Sequence, residues 1–93
     1  MTFDVSEGPA STAVFAYEAE ANYIGSIVYV YNRDRGIGVF QDANPDGSAG
    51  PTAPLAAALG EQIVVTFERE DQTVSTCIRL RDGAQSSTNP CGP

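Results

Sequence analysis

The 93-residue chain contains no histidine, no lysine and no tryptophan, and it has one methionine. Without histidine, the Ser-His and Cys-His couples that activate a nucleophile cannot be assembled. Without lysine, a Ser-Lys arrangement is excluded as well. Positive charge is scarce: five arginines face twelve acidic residues, for a formal net charge of −7. A nucleic-acid binder needs a basic footprint that neutralises phosphates and releases counterions. None exists here, and the overall field repels a polyanion or an anionic membrane surface. Long apolar runs are missing too. The longest, "YIGSIVYVY" at residues 23–31, falls well short of the roughly 20 residues that span a bilayer. No phosphate-cradling loop stands ahead of a helix, because "GIGVF" lies inside a strand pattern. These absences point away from an enzyme, a nucleic-acid partner and membrane insertion.

Cysteine is limited to Cys77 and Cys91. Two thiolates without histidine are too few for structural zinc. In so small a chain the core alone is marginal. An even cysteine pair then suggests a disulfide and an oxidising compartment, and a loop of this length is worth about 3 kcal/mol in the chain-entropy picture. Two unpaired thiols in a cytosolic protein are the alternative. The opening "MTFDVSEGPAST" has neither the basic n-region nor the apolar h-region of a signal peptide. It therefore reads as a cytosolic start or as a trimmed segment carrying an added Met1. The cysteines favour a secreted, periplasmic or cell-surface location.

What is present reads as strands. Residues 12–21 alternate, with Ala13, Phe15, Tyr17 and Ala19 on one face; period two marks a half-buried strand. Residues 23–32 are rich in Ile, Val and Tyr and apolar on both faces, as in a central strand. Residues 36–42 form a shorter strand after the polar turn "NRDRG". Pro51 and Pro54 keep 47–59 out of any central ladder position, leaving an irregular edge, and "LAAALG" could close as a helical turn capped by Gly60. In 61–70, Ile63, Val65 and Phe67 share a face; in 73–82, Val74, Thr76, Ile78 and Leu80 do. A two-residue tip between these last strands would call for glycine or asparagine. A four-residue loop, 70–73, is expected instead, with Phe67 opposite Ile78, Val65 opposite Leu80 and Glu68 opposite Cys77. Cys77 then points outward, and a bridge to Cys91 would pin the polar tail 83–93 against the sheet. Phe3 and Val5 could add a seventh strand. The whole, residues 1–93, reads as one all-β antiparallel sandwich of about 6–7 strands.

Three candidate sites follow. Asp42, Asn44 and Asp46 open like an EF-hand loop, but the twelfth position, where a bidentate Glu belongs, is Ala53. Asn44-Pro45-Asp46-Gly47 fits a type I turn instead, so a weak calcium site is the lesser reading and no other cofactor is expected. Glu18 and Glu20 sit about 7 Å apart on one strand face. A hydrolytic pair needs a cleft that perturbs one pKa, so a solvated acidic face is the reading. Finally, if Val28 and Val30 face the core, Tyr29 and Tyr31 face outward. With Tyr23 they could contact a protein or a glycan, or simply shield the sheet.

Residues 24–68 resemble bacterial immunoglobulin-like domains. The likeness rests on Val28, Val30, Asn32, Gly36, Asp42, Asp46, Gly47, Ser48, Pro54, Leu55, Gly60, Glu61, Val65 and Thr66. These follow the order strand, polar turn, strand, "D-x-DG-S", proline-bearing strand, "VTF". The stretch "AGPTA" departs from that pattern. The resemblance implies an immunoglobulin-like sandwich of a bacterial secreted or surface protein and carries no catalytic residue. Expected partners are other domains of a larger surface protein, or a protein or glycan ligand. The expected role is a structural or spacer module, with adhesion through the tyrosines as the alternative.

Overall fold

The computed structural model describes residues 1–7, 10–19 and 21–85. Among them are eight strands: β1 Thr2–Ser6, β2 Thr12–Ala16, β3 Ile27–Asn32, β4 Ile37–Asp42, β5 Leu55–Ala56, β6 Gln62–Arg69, β7 Gln72–Arg79 and β8 Gly83–Ala84. Helix among the described residues is confined to one 3-10 turn, Ala21–Tyr23. The strands make two four-stranded antiparallel sheets, ordered β5-β2-β1-β8 and β4-β3-β6-β7. The count exceeds the expected 6–7 because two edge strands are only two residues long.

Alternation builds the core between the sheets. Phe3, Ala13 and Phe15 of the first sheet meet Val28, Val30, Ile63, Val65, Phe67 and Ile78 of the second in one buried cluster. Phe3 and Phe15 are cross-strand partners with ring centroids 5.2 Å apart, and Phe15 reaches across to Phe67 at 6.5 Å. Full burial of such side chains contributes roughly 1.5–3 kcal/mol each.

Three expectations need correction. The strand placed at 12–21 ends at Ala16; Tyr17 makes only an isolated bridge to Ala49. The strand placed at 23–32 starts at Ile27, because Gly25 turns the chain at φ 83° and Tyr23 closes the 3-10 turn. The β6–β7 tip is the two-residue Glu70-Asp71, with Arg69 opposite Gln72, so Val65 faces Thr76, Phe67 faces Val74 and Cys77 faces Val64. Glu70 supplies the tip by taking φ 55°. That costs about 1–2 kcal/mol, against an eight-residue ladder gained. The slip of four residues is even, so every side chain keeps its expected face. Ile78 and Leu80 are buried and Arg79 and Arg81 exposed as anticipated, but Val74 is exposed. Residues 83–84, assigned to the tail, pair with β1.

Hydrogen-bond parity fixes how each sheet ends. In an antiparallel ladder, alternate residues bond to alternate sides. Tyr17 and Ala49 exchange bonds of 2.9 and 3.0 Å, so the odd residues of β2 look towards segment 49–57. Prolines 51 and 54 prevent that segment from pairing regularly. Thr52 compensates: its N–H donates to the Phe15 carbonyl at 3.0 Å, and its hydroxyl accepts the Phe15 N–H at 3.0 Å. Gly50 is required here, since a Cβ would collide with the Phe15 carbonyl oxygen. On the far side, Gln85 N–H donates to the Met1 carbonyl at 3.1 Å, and the Val5 N–H donates to Asp82 Oδ1 at 2.9 Å. Both edges of the first sheet are thus closed, partly by side chains.

In the second sheet, Arg33 N–H donates to Gln62 O at 2.9 Å and Ala43 N–H to Ser26 O at 2.8 Å. Odd residues of β3 therefore bond to β6 and even residues to β4. It follows that Ile37, Val39 and Gln41 bond to β3. The N–H and C=O groups of Gly38 and Phe40 point to the outer edge.

Candidate functional site

Tyr29 and Tyr31 lie on the outer face of β3, as the burial of Val28 and Val30 requires. Opposite Tyr29 on β4 stands Phe40, with rings 5.7 Å apart and inclined by 29°. Opposite Tyr31 is Gly38, whose missing side chain leaves room for the tyrosine ring; a Cβ there would meet Tyr31 Cδ1 at 3.3 Å and Val30 O at 2.8 Å. Towards β6 and β7 the same face continues with Val64, Thr66, Ser75 and Cys77. Thr66 and Ser75 share a hydroxyl hydrogen bond of 2.9 Å, and Arg33 Nη1 approaches Cys77 Sγ at 3.7 Å. Phe40 is 72% and Tyr31 44% exposed. The result is a flat aromatic strip suited to stacking contacts.

Tyr23 is not part of this strip. Its ring stacks on Phe67 at 4.0 Å and meets Tyr17 edge-on at 5.7 Å. It borders a depression of about 210 Å³ with Asn22, Arg69 and Gln72. The three tyrosines therefore divide between two places. Phe40 was missed in the sequence, although the alternation of Val39 and Phe40 after Gly38 could have placed it outward.

The segment Asp42 to Gly50 forms the expected turn. Gly47 N–H donates to Asn44 O at 2.9 Å. Asp46 Oδ1 accepts both the N–H and the hydroxyl of Ser48, at 2.9 and 2.6 Å. Those two bonds hold the Asp46 carboxyl below the usual carboxylate range. Asn44 Nδ2 donates to Ser48 Oγ and Gly50 O, each at 3.0 Å. Asn44 thus acts as a donor here and Asp46 is engaged by its neighbours. Among the described residues, no three His, Cys, Asp or Glu side chains converge on a point. Glu18 is exposed; Glu20 lies outside the described residues.

The densest polar cluster surrounds Asn32, which is fully buried. Its Nδ2 donates to Ala56 O at 3.1 Å and Glu61 Oε1 at 3.3 Å. Its Oδ1 accepts the N–H groups of Asp34 and Arg35 at 3.0 and 3.3 Å. Glu61 also accepts the Ala58 N–H at 2.6 Å and the Arg35 Nε–H at 3.0 Å. Burial is the largest single influence on Glu61 and opposes its charge. The Ala58, Arg35 and Asn32 donors together outweigh it and hold the carboxyl below its ordinary value. This cluster ties β3 to edge strand β5. Its bonds make it a structural joint.

Cys77 is half-buried on the outer face and is not a free thiol. Cys91, its expected partner, lies outside the described residues, as does the tail from 86 onward. No helix among the described residues is long and apolar enough to cross a membrane. Taken together, fold and surface define a two-sheet all-β protein with an aromatic strip on one face. Comparison with known proteins returns no matching family model, curated protein or solved structure.

Proposed function

We propose that the chain is a non-enzymatic structural module of a bacterial secreted or cell-surface protein, built as an immunoglobulin-like sandwich. One observation carries this reading. The polar side chains of the two hydrogen-bonded clusters, Asn32, Asp46 and Glu61, are each engaged in holding a turn or joining strands. The turn punctuation shared with bacterial immunoglobulin-like domains supplies the class. The extracellular assignment rests on Cys77 pairing with Cys91. Intact mass before and after reduction and alkylation tests it: two thiols alkylated without reductant would overturn the location.

A second reading has its own observation. The exposure of Phe40 and Tyr31 beside Tyr29 suits a protein or glycan contact. Amide and aromatic NMR shifts during titration with soluble oligosaccharides discriminate the two. Saturable shifts confined to Tyr29, Tyr31 and Phe40 would replace the spacer with an adhesion module. A calcium-rigidified module is the third and weakest idea. A melting midpoint that is the same in calcium and in chelator would sink it, since a bound ligand must stabilise by mass action.

A further inference from the structure

We propose that β4 is a docking edge for a second copy of this chain, the two β4 strands pairing antiparallel about Val39 to make one continuous eight-stranded sheet. The backbone comes first. Parity leaves Gly38 and Phe40 with outward N–H and C=O groups that have no partner among the described residues. Such a row is a template for another strand. Natural edges are usually blunted by prolines, lysines, bulges or extreme shortness. β4 runs six residues, in unbroken register with β3 and without proline or lysine. The edges of the first sheet, by contrast, are two residues long and completed by Thr52 and Asp82.

The side chains then select the occupant. Pairing about Val39 sets Gly38 against Phe40 of the second copy, and Phe40 against its Gly38, so that both are hydrogen-bonded pairs. Facing residues in an antiparallel pair share one side of the sheet. Each Phe40 would therefore lie opposite the other copy's Gly38, against the Tyr31 ring that leans over that glycine. The aromatic strip would become continuous across the two-fold axis. Charge agrees with the same direction. The turn before β4 carries Arg33, Asp34 and Arg35, the last paired with Glu61, so that Arg33 and Arg35 exceed Asp34 by one positive charge, whereas Asp42 ends the strand and Asp46 follows. An antiparallel two-fold brings the basic end of each strand beside the acidic end of the other. A same-sense pairing would place like charges together.

Sedimentation equilibrium from about 10 μM to about 1 mM, where small interfaces associate, should show mass rising from 9.8 kDa towards twice that value. Amide exchange at Gly38 and Phe40 should slow with concentration. Phe40→Lys should weaken association at least about tenfold while circular dichroism and melting stay native. Val74→Lys, on exposed β7, should leave association unchanged. A chain that stays at 9.8 kDa throughout overturns the proposal. So does a dimer indifferent to Phe40→Lys but lost in Val74→Lys. Protection of Gly38 and Phe40 that appears only on adding an unrelated extended peptide would replace the second copy as occupant.

Discussion

The first sheet closes its edges with irregular chain and borrowed side chains, whereas the second, whose other edge is β7, ends on the β4 side in a regular strand with open backbone. At the first sheet's edges, the Thr52 hydroxyl accepts the Phe15 N–H in place of a ladder carbonyl, and the Asp82 carboxylate does the same for the Val5 N–H. At β4, no side chain among the described residues bends back to Gly38 or Phe40. Proline at an edge removes a ladder donor and with it the danger of further pairing, and a hydroxyl or carboxylate supplies an acceptor to the neighbouring strand without extending the template. The joint between the two kinds of ending is Asn32, which ends β3 and bonds to the β5 carbonyl of Ala56.

That joint is where the contrast breaks most severely. Asn32→Ala removes both amide bonds and leaves the Ala56 carbonyl and the Asp34 and Arg35 amides without their partner. Unpaired buried polar groups cost about 1–3 kcal/mol each. The expected loss is about 2–4 kcal/mol, read as a fall in melting temperature of upward of about 10 °C.

Thr52→Val tests the stand-in itself. Valine keeps the shape and the backbone donor but loses the acceptor for the buried Phe15 N–H. Urea unfolding should show a loss of about 1–3 kcal/mol, largely recovered in Thr52→Ser. Equal stability of Thr52→Val would mean that Phe15 finds another partner.

Much of this contrast was written in the sequence, but unevenly. Period-two alternation grouped Ala13 with Phe15, and Ile63 with Val65 and Phe67, on the faces that are buried, because a face is a local property of a strand; Val28 and Val30 lie in a strand apolar on both sides, and only the structure shows which side is buried. Pro51 and Pro54 announced an irregular edge for the same reason. The β6–β7 register was misread because turn preference was weighed without the ladder. Glycine or asparagine is favoured at a two-residue tip, yet Glu70 adopts φ 55° where eight paired residues outweigh the local cost. The roles of Thr52, Asp82 and Glu61 were illegible, since Thr52 and Asp82 bond to backbone groups remote in sequence and Glu61 to the distant side chains of Asn32 and Arg35. Tyr23 was grouped with Tyr29 and Tyr31 by composition; Gly25 separates them.

A smaller effect comes from acid. The Glu61 carboxyl titrates below its ordinary value in the folded chain. A depressed carboxyl contributes stability that is present above the unfolded value, about 4.3, and drains away as pH falls through the folded one. Glu61→Gln keeps an acceptor for Ala58 but cannot titrate. Its stability should therefore fall less steeply than the parent's between about pH 5 and pH 3. Parallel curves would assign the acid sensitivity to other carboxylates.

The smallest change in stability is expected at the open edge. Phe40 is mostly in water, its backbone groups face outward, and its one ring neighbour is Tyr29. Phe40→Lys at low protein concentration should therefore shift unfolding by no more than about 0.5 kcal/mol in either direction. Some compensation is built in, because a lysine stem can lie on the Tyr29 ring and keep its charge in solvent. The forecast separates the two kinds of ending. A substitution at Thr52 weakens the fold because that edge is completed by its side chain. A substitution at Phe40 spares it because the edge is left unfinished. A loss above about 1 kcal/mol, the typical cost of a buried or bonded position, would show that β4 depends on its aromatic face for its own folding. The strip would then be a structural cover for the second sheet, and its exposure would not mark a place of contact.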